Sequence, residues 1–152
     1  VDSNKNMIDK AKKKLSHTNV TYVNAKAERL PFENNEFDFI LCAFGLRNFF
    51  DINAALLQIY RTLKPEGQFI CLEFSKVNRK LFRIGFELYC KIIPRLGQFF
   101  AKNKTAYDYL VESIKIFPNQ VALTKILGQS GFKTVQCYDL MDGIASIHIG
   151  KK

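Results

Sequence analysis

The chain has 152 residues, the length of one domain, and its 47% hydrophobic content is enough to form a core. No apolar run reaches the roughly 18–20 residues that a membrane-spanning helix needs. The four cysteines contain no CxxC pair and are accompanied by two histidines, which argues against a structural zinc site. We expect reduced cysteines packed in the core, in a reducing compartment. Because the chain starts without Met and in mid-pattern, we also expect it to be processed or truncated.

The net charge of +9 is concentrated in one region. Eight basic residues stand between positions 76 and 104, against a single acid, Glu87. The partner that this charge serves should meet that region. Charge alone would permit nucleic acid, but the aromatic residues here follow helical spacing, which indicates packing and not base stacking.

Helices and strands alternate in the first half of the chain. Apolar residues at helical spacing predict an amphipathic helix over residues 4–15, with lysines on its solvent face. A short β-rich stretch predicts a strand at 20–23, and the apolar run at 37–44 predicts a buried strand. Asp51 has the position of an N-cap for a helix that runs to Leu63.

The middle of the chain interrupts this alternation. Lys-Pro-Glu-Gly at 64–67 predicts a turn, and residues 68–74 predict the next strand. The segment 79–117 then contains two predicted helical pieces, 79–100 and 105–116. We interpret it as an inserted helical lid whose apolar face closes a substrate pocket.

The last part predicts a helix at 119–130, closed by Gly131, and two strands joined by a tight turn at 141–143. So short a turn implies an antiparallel hairpin at the sheet edge. Alternation ending in a hairpin predicts an α/β fold with a mostly parallel sheet. Such a fold also needs a first strand and a glycine-rich loop, and no GxGxxG-like stretch is present. We therefore expect exposed apolar sheet edges and poor stability of the isolated chain.

Two stretches deliver polar side chains to strand ends. FDFILCAFGLRN at 37–48 ends in Arg47 and Asn48, and RTLKPEGQFICLEFS at 61–75 ends in Glu73 and Ser75 with Phe74 between them. Ligands of open α/β sheets bind at the carboxyl ends of the strands. Taken alone, however, Arg47 and Asn48 are better explained as a surface charge and a loop start.

The same stretches closely resemble the ubiquinone/menaquinone biosynthesis C-methyltransferases, the UbiE-type family. The similarity continues through 107–114, the Phe-Pro pair at 117–118 and Gly-Ile-Ala at 143–145, and so covers nearly the whole chain. An LKPxG turn marks methyltransferases at large, whereas FGLRN together with LEFS is far narrower. The resemblance implies a class I S-adenosylmethionine-dependent methyltransferase fold, Rossmann-like, of which residues 1–152 form one incomplete domain.

The resemblance also implies a site for S-adenosylmethionine, the methyl donor. Asp2 matches the acidic residue that accepts hydrogen bonds from the ribose hydroxyls, although capping of the first helix is a close rival for it. Lys26 and Ala27 match the pair beside the adenine. Ala43 matches a position at the cofactor edge.

Family members methylate a ring carbon of a polyprenylated quinol, so the resemblance implies a role in ubiquinone and/or menaquinone biosynthesis. A ring carbon is a weak nucleophile until a hydroxyl on the same ring loses its proton. Arg47, which is always charged, would stabilise the oxyanion, and Asn48 would hold the ring oxygen. Neither is a good general base, and no metal is required.

The implied partners are the polyprenyl quinol and, through segment 76–104, an anionic membrane surface. A quinone-biosynthesis complex or a homodimer also fits, whereas nucleic acid is not expected. The implied location is peripheral: the cytoplasmic face of the inner membrane in a bacterium, or the matrix side in a eukaryotic mitochondrion.

Some positions depart from the family pattern. Lys26 stands where Asp or Asn is usual, and Glu66 replaces a turn glycine, which we expect a type I turn to tolerate. Since the glycine loop is also missing, we expect the chain alone to be inactive. A non-catalytic remnant or a structural subunit of a quinone-biosynthesis complex therefore stays open.

Other polar residues are expected to have structural or solvent roles. We predict that Glu28 is a solvated acid in a loop and that His148 is a structural histidine on an edge strand. For Glu73, pairing with a basic neighbour is as good an interpretation as a functional role, and Ser75 could simply end its strand.

Overall fold

A computed structural model describes residues 1–14, 19–80, 84, 85, 88 and 104–152. Its helices and strands, in chain order, are α1 (Lys5–Lys14), β1 (Phe37–Ala43), α2 (Ile52–Thr62), β2 (Leu63–Phe74), α3 (Lys104–Ile116), α4 (Gln120–Gln129), β3 (Thr134–Leu140) and β4 (Ala145–Lys151). The predicted helix at 105–116 is confirmed as α3. Most of the predicted piece 79–100 lies outside the described residues, so the lid stays a prediction.

The four strands form one sheet in the order β1-β2-β4-β3. β1 and β2 are parallel, whereas β4 runs antiparallel to both β2 and β3. Three strands thus share one direction and one is reversed, which confirms the predicted α/β class with its C-terminal hairpin. The edge strand of the hairpin is β3, because β4 inserts between β3 and β2.

Helices α2 and α4 cover one face of this sheet. Side chains along β2 alternate between buried and half-buried, and Phe69 and Cys71 are completely buried on the helix-covered side. They belong to a continuous core with Leu46, Leu56, Ile59, Leu63, Phe117, Leu123, Leu127 and Phe132. Asp51 is the N-cap of α2 as predicted, since its side chain accepts a hydrogen bond from Ala54 N.

His148 lies on this covered face and not on an edge strand, so the predicted edge position was wrong. It is fully buried, and its Nε2 lies 3.1 Å from the carbonyl oxygen of Gln120 at the start of α4. Burial lowers the pKa of His148, with the Gln120 contact opposing that shift. The histidine therefore ties β4 to α4, which confirms its structural role.

β1 exposes apolar side chains on the face of the sheet that α2 and α4 do not cover. Phe39 and Leu41 are 59% and 73% exposed, although they belong to the run predicted as a buried strand. The strand predicted at 20–23 does not form either; the nearby backbone makes only an isolated parallel bridge, between Asp2 and Asn24. None of the described residues forms a strand on the side of β1 away from β2, and Phe39 and Leu41 line a cavity there.

The predicted turn at Lys-Pro-Glu-Gly lies within the bounds of β2, Leu63–Phe74, and not before that strand. It interrupts the pairing with β1, whose register shifts between Phe37 and Phe39. Glu66 has a φ of 67°, in the left-handed region. A type I turn has negative φ at both central residues, so the expected turn type was wrong; a positive φ after proline is the pattern of type II.

The cysteines only partly follow the core prediction. Cys71 is buried and Cys42 is half-buried, and their backbones pair across β1 and β2. Cys137 on β3 is exposed, so core packing was wrong for this residue, because β3 is the outermost strand. Cys90 lies outside the described residues. Within the described part of the chain, no helix is long and apolar enough to cross a membrane.

Candidate active site

A cavity of about 860 Å³ lies beside β1. One wall consists of β1 and the loop after it, and the other consists of residues 1–3 and 21–28. Its volume is in the range of small-molecule and cofactor sites, roughly 300–1,000 Å³. The carboxyl end of β1 opens onto it, which is where ligands bind in open α/β sheets.

Most of the predicted site residues line this one cavity, although they come from three separate parts of the sequence. They are Asp2, Lys26, Ala27, Ala43 and Asn48. The backbone bridge between Asp2 and Asn24 holds the first two parts together. Arg47 is not among the described residues that line the cavity.

Asp2 is fixed in the cavity wall by its backbone. Its N–H donates to the Val23 carbonyl over 3.1 Å, and its own carbonyl accepts from Ala25 N over 3.2 Å. The side-chain Oδ1 accepts from Asn4 N at 2.7 Å. The cap of α1 is Asn4, since its Oδ1 accepts from Asn6 N, so Asp2 is not itself the N-cap.

Arg47 is engaged by a buried carboxylate. Its Nη1 lies 2.7 Å from Glu73 Oε1 and 2.6 Å from the Phe44 carbonyl oxygen, and its guanidinium lies over the Phe74 ring. Glu73 is completely buried and also accepts from the backbone N–H groups of Arg47 and Phe74. Glu73 therefore pairs with a basic neighbour, as one of its two interpretations predicted. The positive charge of Arg47 is largely compensated.

Part of the Arg47 guanidinium stays unpaired within the described residues. Its Nε is buried and has no hydrogen-bond partner there. A buried donor of this kind costs free energy unless something accepts from it. Arg47 is thus held by Glu73 at the edge of the site, while its buried Nε stays without an acceptor among the described residues.

Asn48 ends the single 3₁₀ turn that follows β1, Leu46–Asn48. Its Nδ2 donates to the Phe44 carbonyl over 3.3 Å, and its Oδ1 accepts from Tyr109 Oη over 2.9 Å. The second contact connects the cavity wall to α3, 61 positions further along the chain. Sequence reasoning missed Tyr109 as a neighbour of the site, because no local pattern joins these two residues.

Glu28 also lines the cavity, and the prediction of a solvated acid was wrong. Its Oε1 accepts from the backbone N–H groups of Phe50, at 2.8 Å, and Asp51, at 3.2 Å, just before α2. Burial raises the pKa of Glu28, but backbone hydrogen bonds outweigh it, so the pKa lies below its usual value. The carboxylate thus anchors the 27–29 turn to the start of α2, a contact that the sequence alone gave no signal for.

The chain matches the ubiE/COQ5 methyltransferase family over residues 1–152. It belongs to that family. UbiE-type relatives include the ubiquinone/menaquinone biosynthesis C-methyltransferases UbiE of Rickettsia prowazekii, 46% identical, and Shewanella oneidensis, 42% identical. Each alignment covers 99% of this chain but 63% and 62% of the respective relative, so the chain spans less than two thirds of their length.

Solved structures show the same fold. A SAM-dependent methyltransferase from Aquifex aeolicus superposes with a TM-score of 0.67 at 13% identity, covering 98% of this chain and 65% of the other. One from Thermotoga maritima, described as a possible histamine N-methyltransferase, gives 0.66 at 21% identity, with 97% and 70% covered. These similarities show that the chain has a class I methyltransferase fold.

Family and fold imply S-adenosylmethionine as the methyl donor. The residues present fit such a molecule in chemistry and in space. The cavity presents a carboxylate, Asp2, which can accept from ribose hydroxyls, and apolar side chains such as Ile40 that can contact a purine ring. Lys26 is exposed at the cavity and offers a donor where an acceptor is usual in the family.

Proposed function

We propose that this chain is the larger part of an enzyme that methylates a ring carbon of a polyprenylated benzoquinol or naphthoquinol, in ubiquinone and/or menaquinone biosynthesis. The supporting observation is the cavity at the carboxyl end of β1, which gathers Asp2, Lys26, Ala27, Ala43 and Asn48. The names of the UbiE relatives support the substrate class.

The cofactor end of the cavity is the wall that carries Asp2. There Asp2 would accept hydrogen bonds from the ribose, and Lys26 and Ala27 would flank the adenine. Ala43, on the β1 wall, would contact the cofactor edge. S-adenosylmethionine supplies an electrophilic methyl group when bound. The task of the chain is then alignment, because an in-line displacement depends chiefly on holding donor and acceptor in a productive geometry.

The substrate end is the 3₁₀ turn after β1. Asn48 would bind the ring oxygen as it becomes a phenolate, using an N–H of its side-chain amide. Arg47, held by Glu73, would add a positive field at the same edge of the cavity. Its contribution is reduced by the carboxylate, so we assign the direct contact with the oxyanion to Asn48.

The test uses the natural full-length protein, with calorimetric titration of S-adenosylmethionine and transfer of labelled methyl to a polyprenyl quinol that lacks the ring methyl. Asp2→Ala should weaken cofactor binding about 10–100-fold, the value of a charge-assisted hydrogen bond. Asn48→Ala should instead lower turnover by up to about 100-fold, and Arg47→Ala should lower it by less; both should change cofactor affinity much less than turnover.

Two variants serve as controls for these changes. Asp9→Ala removes an exposed carboxylate from α1, and Arg79→Ala removes an exposed arginine that pairs with Asp142; both should behave as the parent. Equal losses of turnover and cofactor affinity in Arg47→Ala would remove Arg47 from its proposed role. A parent protein that binds the cofactor but methylates no quinol would overturn the substrate assignment.

A second candidate function is a non-catalytic subunit of a quinone-biosynthesis complex. Lys26 favours it, because an ammonium group cannot accept a hydrogen bond from the adenine amino group. The apolar edge of β1 also favours it, since Phe39 and Leu41 offer surface for a partner. Failure of the full-length protein to bind S-adenosylmethionine would support this function over catalysis.

Membrane contact through segment 76–104 stays part of the proposal, together with a peripheral location on the cytoplasmic or matrix side. Two of its described basic residues are already used inside the molecule. Lys76 Nζ donates to the carbonyls of Ile114 and Lys115 at 2.7 Å, and Arg79 pairs with Asp142. Any attraction to anionic lipid would therefore come from the other basic residues of the segment.

A further inference from the structure

The side-chain amide of Asn48 has a defined orientation. Phe44 O can only accept, so the Asn48 group that faces it at 3.3 Å has to be Nδ2. The other end of the amide, Oδ1, consequently faces Tyr109 Oη at 2.9 Å, and the phenol has to donate. Among the described residues, these two contacts leave one N–H of Asn48 for a ligand in the cavity that this residue lines.

Of the two contacts, the one with Tyr109 constrains the amide more strongly. It is shorter by 0.4 Å, whereas the Phe44 carbonyl is shared with Arg47 Nη1, which approaches to 2.6 Å. The charged donor binds that carbonyl better than the amide does. Without the phenol hydroxyl, Asn48 would keep only the longer, shared contact and could rotate.

We propose that Tyr109 on α3 is a positioning residue that fixes the Asn48 amide so that it presents an N–H to the substrate oxygen. The proposal rests on the function proposed above. Tyr109 does not need to touch the substrate for this role. Its proton is committed to Asn48, so it acts through the orientation of the amide.

A purely structural role explains this hydroxyl less well. Tyr109 is 55% exposed, so water can replace its hydrogen bond at little cost to folding. The chain also contains a matched residue: Tyr138 on β3 is 50% exposed and donates to the amide oxygen of Gln136 over 3.1 Å. The two phenols have similar exposure and the same kind of partner, an amide oxygen, but only Asn48 lines the cavity.

The experiment compares Tyr109→Phe with Tyr138→Phe in the full-length protein. The first readout is nuclear magnetic resonance of the Asn48 side-chain amide, where Tyr109→Phe should accelerate hydrogen exchange and shift both Nδ2 protons. The second is methyl transfer: kcat should fall about 5–10-fold, the value of one neutral hydrogen bond, with the Kd for S-adenosylmethionine unchanged. Tyr138→Phe should match the parent in every readout.

A double variant separates positioning from any other effect. In an Asn48→Ala background, Tyr109→Phe should cause no further loss of kcat, because there is no amide left to orient. A further loss of the same size, or an Asn48 amide unaffected by Tyr109→Phe, would overturn the proposal. If the parent methylates no quinol, the proposed function fails instead, and the amide resonances alone decide the role of Tyr109.

Discussion

At the scale of single residues, the candidate site depends on two carboxylates whose partners the sequence does not reveal. Glu73 has no contact with solvent, yet it binds both the guanidinium and the backbone N–H of Arg47. Glu28 similarly accepts two backbone N–H groups at the start of α2. Both carboxylates hold the loops that border the cavity. Substituting either one should therefore lower the free energy of unfolding as well as the activity.

Glu73→Gln should lower the free energy of unfolding by about 3–5 kcal/mol, since it leaves the charge of Arg47 without its buried partner. Asp38→Asn is the control, because the Asp38–Lys64 pair is exposed and should contribute at most about 1 kcal/mol. Urea unfolding of both variants measures the difference. If the two substitutions cost the same, the buried pair does not stabilise the fold as described.

At the scale of elements, α4 shows how the end of a helix is fixed by one residue. Asn119 caps its start by accepting from Ala122 N. Beyond its end, Gly131 has a φ of 107° and lies directly under the Tyr60 ring, where an added Cβ would stand 3.1 Å from ring carbons. The glycine is required there both by the backbone conformation and by the packed ring.

The same substitution should therefore have opposite effects at two neighbouring glycines. Gly131→Ala should destabilise by more than about 1 kcal/mol, because alanine does not tolerate this φ and its methyl group meets Tyr60. Gly128→Ala, inside α4 with open space around the added Cβ, should stabilise by about 0.5–1 kcal/mol. Thermal unfolding of the pair tests this; a shift of the same sign in both would contradict the described end of α4.

At the scale of the whole molecule, the two outer strands of the sheet, β3 and β1, have different surroundings. The hairpin β4–β3 closes one side and is packed under α4. On the other side, none of the described residues forms a strand beside β1, and its Phe39 and Leu41 are largely exposed beside the cavity. An unpaired apolar edge of this kind promotes association and weakens cooperative folding.

The 152-residue chain should accordingly bind a fluorescent dye that recognises exposed apolar surface, and the double substitution Phe39→Thr, Leu41→Thr should reduce the signal. Val121→Thr on α4 is the control, since Val121 is 79% exposed on a helix that packs on β3 and β4 and not on β1, and should not alter dye binding. Negligible dye binding together with a single cooperative thermal transition would show that the exposed side chains of β1 neither bind the dye nor weaken cooperative folding.

The sequence by itself determined the alternation of elements, the hairpin, the cap at Asp51 and the family. These follow from local periodicity and from motifs within a few residues of each other. It also indicated the residues around the cavity, because strand ends and the family pattern mark them in advance. The assignment of their roles stays a prediction.

The tertiary structure decided which groups meet across long separations. The pairing of Arg47 with Glu73, the contact of Tyr109 with Asn48 and the interior position of His148 join residues 26 or more positions apart. Hydrogen bonds of this kind depend on how strands and helices pack, and no local pattern records them. The strand predicted at 20–23 does not form for a related reason: a strand needs a neighbouring strand to pair with, and local sequence does not show whether one is present.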